Sequence, residues 1–350
     1  MPKIPMITNA VVLNKAIDGR PVYFVTVAGE ELVVKAEHGQ IDKQAGTEID
    51  AAVSIHWGAK LMKNINNELT SIKIMKQEEI DHFLAAALAK FNQPNYVGPR
   101  HLGLLEEQVR NHVTWVKMRS VAGLNELELT AKVEGLNNRQ ATPELLKKAF
   151  NTLSDPNAWV QLGKIIAVDV FNGNNDRFDI PSGRFLNPGN FFFIKPANVS
   201  QMLGLDTFSP NMGQMVNLRS GRDESIGDHL NILAGGLPLK EFAARCTRSV
   251  GKSMATEMRN RGASDGNGGF VANPIISLPI SQDERITLSA DEVEISFDDY
   301  TEYFARGLEQ GAQELKLYLK GKMQKYKLPG NPKTMPPGII ARMLYLNWHP

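Results

Sequence analysis

Asp169 to Phe178 reads DVFNGNNDRF. It follows NAWVQLGKIIAVDVF, an apolar run that predicts a long buried helix, and it packs Asn, Gly, Asn, Asn and Asp into the space of one turn. Asn and Gly tolerate left-handed backbone, so the composition ends the helix in a tight polar turn. Downstream, NPGNFFFI sets Asn190 directly before a hydrophobic strand, and SQMLGLDTFSP sets Asp206 directly after a short apolar run. Upstream, TPELLKKAFNTL opens a helix with Thr142 at the N-cap, Pro143 at the first helical position and Glu144 just inside.

Further towards the N-terminus the pattern changes to strands. AVVLNK, VYFVTVAG and ELVVKAE cluster β-branched and aromatic residues, and Asp18-Gly19 supplies a hairpin turn. A helix is predicted from Gly46-Thr47-Glu48 through IDAAVSIHWGAKLMKNI, with Ile49, Val53, Trp57, Leu61 and Met62 on one face. EEIDHFLAAALAKF reads as a second helix ended by Gln93-Pro94-Asn95, and His112 to Ser120, HVTWVKMRS, as a strand. VAGLNEL places a chain reversal after it, a hinge near residues 118 to 124. The remainder is mainly helical, and includes LPLKEFAARCTRSVGKSMATEMRN and the strongly periodic FDDYTEYFARGLEQGAQELKLYLKGKMQKY. The expected class is α+β, with a small antiparallel β-rich part over residues 1–119 and a mostly helical part over 120–350.

The 350 residues include 42% hydrophobic and 22% charged side chains, the balance of a folded chain and not of a disordered one. Lys and Arg number 39 against 38 Asp and Glu, so no overall field draws the protein onto nucleic acid or anionic lipid. Cys246 is the one cysteine, which excludes an internal disulfide and a multi-cysteine zinc cluster. The opening MPKIPMITNAVVLNK has no signal-peptide pattern, and no apolar run reaches transmembrane length. The expected location is cytoplasmic, and a bacterial protein exported without a cleaved signal would have the same composition.

Several residues suggest phosphate chemistry. Lys35, near the end of LVVKAE, sits where an ammonium could reach phosphates beneath a hairpin, although a solvated lysine fits the same place. Glu48, expected in the first turn of the next helix, could pair with it, with Asp50 as the alternative. Phosphoryl transfer needs a carboxylate to orient the attacking hydroxyl and an oxygen-bearing amide to help hold a hard cation. Asp176 and Asn190 are of those types, and Asp206 adds a carboxylate at a strand end.

In this order, Lys35, Glu48, WVKM, NNDR, GNFFF and LDTF resemble the phosphatidylinositol 3- and 4-kinase-like atypical kinase superfamily, with its bacterial toxin-like or effector serine/threonine kinases. The resemblance runs from about residue 10 to 210 and is most specific between Val168 and Asp206. It implies a two-lobed protein-kinase-like fold that binds ATP and magnesium. Lys35 would bind phosphate, Glu48 would orient it and Met118 would lie at the adenine hinge. Asp176 would be catalytic, and Asn190 and Asp206 would be magnesium ligands. The chain departs from the family where FDIPSGRFLNP separates Asp176 from Asn190, which makes Asn187 a competitor for Asn190. The acceptor is expected to be protein Ser/Thr rather than an inositol lipid. A lipid kinase, or a pseudokinase-type binding module without turnover, are the alternatives.

SVGKS, residues 249 to 253, matches only the end of a P-loop, because Cys246 stands where its first glycine belongs. RGASDGNGGF lacks the strand and helix of a dinucleotide fingerprint and reads as a loop. The seven histidines show no zinc-ligand spacing, and no GxSxG is present. Lys316, Lys320, Lys322, Lys325 and Lys327 crowd the end of the last long helix, where cations are favoured by the helix dipole and where an acidic partner or a membrane surface could also dock.

Overall fold

The computed structural model describes residues 4–16, 22–37, 41–42, 47–48, 51–65, 72–96, 98–111, 114–120, 153–175, 177–186, 191–194, 201–204, 224–262, 276–279, 285–288, 296–326, 335 and 337–348. The fold is α+β with an antiparallel sheet and many helices. The chain divides into two compact units, one mainly Met1–Lys63 with Glu68–Ala122 and the other mainly Asn138–Pro350.

In the first unit, β1 (Val12–Ala16), β2 (Val22–Val27) and β3 (Glu30–Glu37) form the expected meander. Ala28 and Gly29, with φ of 50° and 80°, close the β2–β3 hairpin in the left-handed geometry that matches strand twist. The short β4 (Ile41–Asp42) and β5 (Thr47–Glu48) pair with each other. β6 (Lys73–Ile74) and β7 (Thr114–Arg119) complete a five-stranded antiparallel sheet in the order β1-β2-β3-β7-β6.

Strand alternation sends Tyr23, Val25, Leu32, Val34, Ala36 and Trp115 to one face, buried with Phe83 and Phe91 of α2 (Gln77–Phe91) and Leu105 of α3 (Pro99–Arg110). Tyr23 and Trp115 each lie near the Phe83 ring, with centroids 5.2 Å away. α3 was not expected, because its inner face mixes His101 and Gln108 with Leu105 and so hides its apolar period. Those polar groups are bonded: the Tyr23 hydroxyl donates to Gln108 at 2.9 Å, and Tyr96 Oη lies 2.5 Å from His101 Nδ1. On the same inner face Lys117 pairs with Glu79 and donates to the Pro5 carbonyl at 2.7 Å. Glu79 also accepts from the amides of Ile7 and Lys76, so one buried carboxylate ties together the start of the chain, the first turn of α2 and β7.

α1 spans Ala51–Ile65 and buries Trp57, Leu61 and Met62 as their spacing requires. The expectation for Glu48 is corrected here: it lies in β5 rather than in the helix, because the chain first pairs with Ile41 and becomes helical only at Ala51.

In the second unit, α4 (Pro156–Asn172) is buried along most of its length and packs against α7 (Thr301–Tyr326). Asp155 caps its first turn by accepting from the Asn157 amide at 2.9 Å, with Pro156 at the first helical position. The crossing depends on glycine. A Cβ on Gly163 would meet the Phe304 carbonyl oxygen at 2.3 Å, and one on Gly307 the Val160 carbonyl oxygen at 2.2 Å. Trp159 fills the space beside this crossing with Phe297, Tyr300 and Phe304.

α5 (Glu224–Leu233), α6 (Gly236–Gly262) and α8 (Pro337–Tyr345) are the other helices among the described residues of this unit. Among the described residues of this unit the strands pair antiparallel two by two: β8 (Phe178–Asp179) with β9 (Arg184–Phe185), β10 (Phe191–Ile194) with β11 (Gln201–Gly204), and β12 (Ile276–Pro279) with β13 (Arg285–Leu288). The last pair lies in a region expected to be helical. Gly251 to Ser253 lie inside α6, and Cys246 is buried on the same helix, so the P-loop match has no loop to form it. The turn around Asp18-Gly19, the reversal in VAGLNEL, the helix opened by Thr142 and most of RGASDGNGGF lie outside the described residues.

Candidate functional site

Each unit carries a candidate set of residues. On the first, the sheet face opposite the core carries Val22, Phe24, Val33 and Lys35, all half-buried, beside buried Val116 and Met118. The register sets them in two rows: Val22 opposite Lys35 opposite Val116, and Phe24 opposite Val33 opposite Met118. Lys35 and Met118 therefore share one face, on neighbouring strands and diagonal to each other. Lys35 Nζ lies 2.7 Å from Glu37, the next residue on that side of β3. Lys15 from β1 reaches over the Phe24 ring, 4.4 Å from its centroid. This face is apolar, with cations at its margin.

Of the residues expected to join Lys35, Glu48 is described only as part of β5, and Asp50 lies outside the described residues.

On the second unit, DVFNGNNDRF does end a buried helix in a turn, with Gly173 at φ 69° as the left-handed cap. Asp169, in the last turns of α4, is buried, and its Oδ1 accepts from Arg177 Nη1 at 2.6 Å and from Asn174 Nδ2 at 3.0 Å. Its Oδ2 lies 2.8 Å from the same Arg177 nitrogen. The Asn174 amide donates to the Asp169 carbonyl at 2.8 Å. Arg177 is as fully buried as Asp169, so this is a desolvated pair whose hydrogen bonds close the turn on itself. Asp176 lies outside the described residues, and both its neighbours are held: Arg177 by Asp169, and Asn175 by accepting from the Ile180 amide at 3.2 Å.

Of the inserted FDIPSGRFLNP, residues 178–186 form an excursion that returns to its start. Phe178 pairs with Phe185, and the Leu186 amide donates to the Arg177 carbonyl at 2.9 Å. The hairpin docks on α6, where the Phe185 amide donates to Ser249 Oγ at 2.8 Å and Arg245 donates to the Pro181 carbonyl at 3.2 Å. Gly183, at φ 73°, lies so close that a Cβ would sit 2.6 Å from that of Arg245.

β10 and β11 stand where FFFI and QMLG predicted strands. Phe191 is paired with Gly204, so the chain enters the hairpin one residue after Asn190 and leaves it two residues before Asp206, at the same open end. Asn187, Asn190 and Asp206 themselves lie outside the described residues. Among the described residues no group of three or more His, Cys, Asp or Glu is arranged to hold a metal, and no helix is long and apolar enough to cross a membrane.

The Asp169–Arg177 pair went unassigned in the sequence. Its signal was a lone aspartate in the apolar run IIAVDVF, since a buried carboxylate demands a partner. No known protein family, curated protein or solved structure matches the chain.

Proposed function

We propose that this chain is an atypical, two-lobed kinase-like phosphotransferase that moves the ATP γ-phosphoryl group to a hydroxyl, of protein Ser/Thr rather than of an inositol lipid. The supporting observation is the closed turn after α4. Asp169, Asn174 and Arg177 clamp it, and the β8–β9 excursion brings the chain back to Arg177 through the Leu186 amide. A catalytic carboxylate at Asp176 would then be flanked by fixed residues, the preorganisation that orienting an acceptor hydroxyl requires.

The donors expected for magnesium are hard oxygens: the Asp206 carboxylate with the Asn190 amide, or Asn187 in its place. The shared hairpin end fits Asn190 with Asp206, and the return of the chain to Arg177 fits Asn187 with Asp176. When bound, the ion would neutralise charge on the β- and γ-phosphates. The sheet face bearing Met118 would receive the adenine, with Lys35 towards the phosphates.

Protein is favoured over lipid because Lys and Arg number 39 against 38 Asp and Glu, which leaves no net field to draw the chain onto an anionic membrane, and the exposed basic residues have only loose neighbours. Arg245 lies 3.8 Å from Glu241, Arg248 lies 3.9 Å from Asp298, and Lys322 covers the Tyr318 ring at 5.1 Å. A binding module without turnover is the second reading, favoured by Glu48 standing in β5 rather than on α1 and by the pairing of Lys35 with Glu37.

The test is label incorporation from γ-labelled and α-labelled ATP, into the protein itself and into protein acceptors, with magnesium-ATP titrations alongside. The expected result is γ-label transfer that falls roughly 10²- to 10⁴-fold in Asp176→Asn while ATP affinity holds. Asp206→Asn should lose both transfer and magnesium-dependent binding. Incorporation of the α label would replace the proposal with nucleotide transfer, and binding without any transfer would establish the second reading.

A further inference from the structure

The turn after α4 is held from a second side, by residues far from it in sequence. Arg342 of α8 is completely buried, and its Nη2 lies 3.3 Å from the carbonyl oxygen of Asn172, the last residue of α4. A cation there meets the negative end of the helix dipole as well as an open carbonyl. Desolvation lowers its pKa to about 9, which leaves it charged at neutral pH. The guanidinium also lies 6.0 Å from the Phe171 ring centroid. Trp348 stacks on that same ring, 5.6 Å between centroids and 2° between planes.

The local sequence explains how Trp348 gets there. After α8 the chain reads LNW, and Asn347 takes a left-handed φ of 54°. The Trp348 amide then donates to the Met343 carbonyl at 2.8 Å and the Asn347 amide to the Leu344 carbonyl at 3.1 Å. This paired closure is a Schellman cap, which folds the chain back over the end of its helix. Phe171 and Asn172 are thus held by Trp348 and Arg342 immediately before Gly173 opens the turn, while Asp169 and Arg177 hold the turn from within.

We propose that Arg342 and Trp348 are positioning residues, a brace that fixes the carboxyl end of α4 and thereby the turn from Gly173 to Arg177 that carries Asp176. Its catalytic consequence rests on the phosphotransferase reading above. The mechanical consequence does not. Loosening the brace moves the turn and leaves the residues of the β2–β3–β7 face unchanged, so turnover suffers more than nucleotide affinity. Misplacement of a positioned group by about 1 Å costs on the order of 10²-fold in rate.

The experiment compares the parent with Trp348→Ala, Trp348→Phe and Arg342→Lys, at a temperature where circular dichroism shows each folded. The readings are amide exchange at Asn174, whose N–H bonds to Asp169, together with kcat for γ-phosphoryl transfer and Kd for magnesium-ATP. Trp348→Ala should speed Asn174 exchange and lower kcat by roughly 10- to 100-fold with Kd changed less than about threefold. Trp348→Phe, which keeps an aromatic stack, should restore both. If Trp348→Ala does not fold, Arg342→Lys carries the same readings, because it keeps the buried charge and loses the planar fork.

Unchanged Asn174 exchange in a folded variant overturns the brace, whether or not the parent transfers phosphate. Equal losses in kcat and ATP affinity, or no restoration by Phe, overturn the positioning role. A parent without transfer whose variants still show faster exchange upholds the brace and rejects the phosphotransferase.

Discussion

Asp169→Asn is the smallest change that tests whether the turn after α4 is held electrostatically. Asn has nearly the same shape and keeps a carbonyl oxygen for one donor, but it carries no charge. Arg177 would then stay fully buried, having lost the carboxylate that now lies 2.6 and 2.8 Å from one of its nitrogens. Removing one partner of a buried ion pair costs about 3–5 kcal/mol, mainly through the uncompensated charge left behind. Against a total stability of about 5–15 kcal/mol, that is a large fraction.

Arg177→Met removes the other partner of the same buried pair and should likewise destabilise this unit. The double variant removes both charges, so it should be more stable than the sum of the single effects implies, by about 0.5–3 kcal/mol. Urea titration read by amide exchange of peptides from α4 follows this unit separately from the other. An Asp169→Asn variant within about 1 kcal/mol of the parent would refute the reasoning, as would a strictly additive double variant.

Glu79 makes an acid-side prediction. Burial pushes its pKa up, but hydrogen bonds from Lys117 and from the amides of Ile7 and Lys76, together with the Lys117 charge, bring it below the ordinary value. Its stabilisation is therefore present above about pH 4.3 and is lost as the pH falls through the lower folded value. Scans of Tm against pH should show Glu79→Gln well below the parent at neutral pH and converging with it in acid; a constant gap would contradict the assignment. Gly163, at the helix crossing, and Gly321, in open space on α7, predict opposite signs for the same substitution. Gly163→Ala must separate α4 from α7 and should lower Tm, whereas Gly321→Ala, with nothing within 4 Å of the new Cβ, should gain up to about 1 kcal/mol of helix propensity. Lys35→Met should weaken magnesium-ATP binding while leaving the hydrophobic core of its sheet in place, measured by calorimetric titration beside a thermal scan; unchanged affinity would remove Lys35 from the nucleotide face.

Where one period dominated, the sequence was legible. β2 and β3 alternate, α2 and α7 repeat every three to four residues, and α4 is apolar almost throughout, so local pattern and burial agree. α3 was not legible because two of its inward side chains are polar and find partners only in the folded unit. Glu48 was misplaced because the pairing of β5 with β4 competes with the helix for the same residues, and sequence pattern does not weigh the two.

The candidate residues divide in the same way. The sequence by itself determined the α+β class, the buried helix ending in NGNNDR and the strands flanking Asn190 and Asp206, because each follows from side-chain type and spacing over a few residues. Only the tertiary structure decided that residues 178–186 return to Arg177, that Asp169 is the buried partner of that arginine, and that Arg342 and Trp348 reach the end of α4 from about 170 residues away. The physical reason is that a buried charge or an open carbonyl specifies that it must be matched but carries no record of which distant residue will match it. Packing brings that partner, and local periodicity cannot encode it.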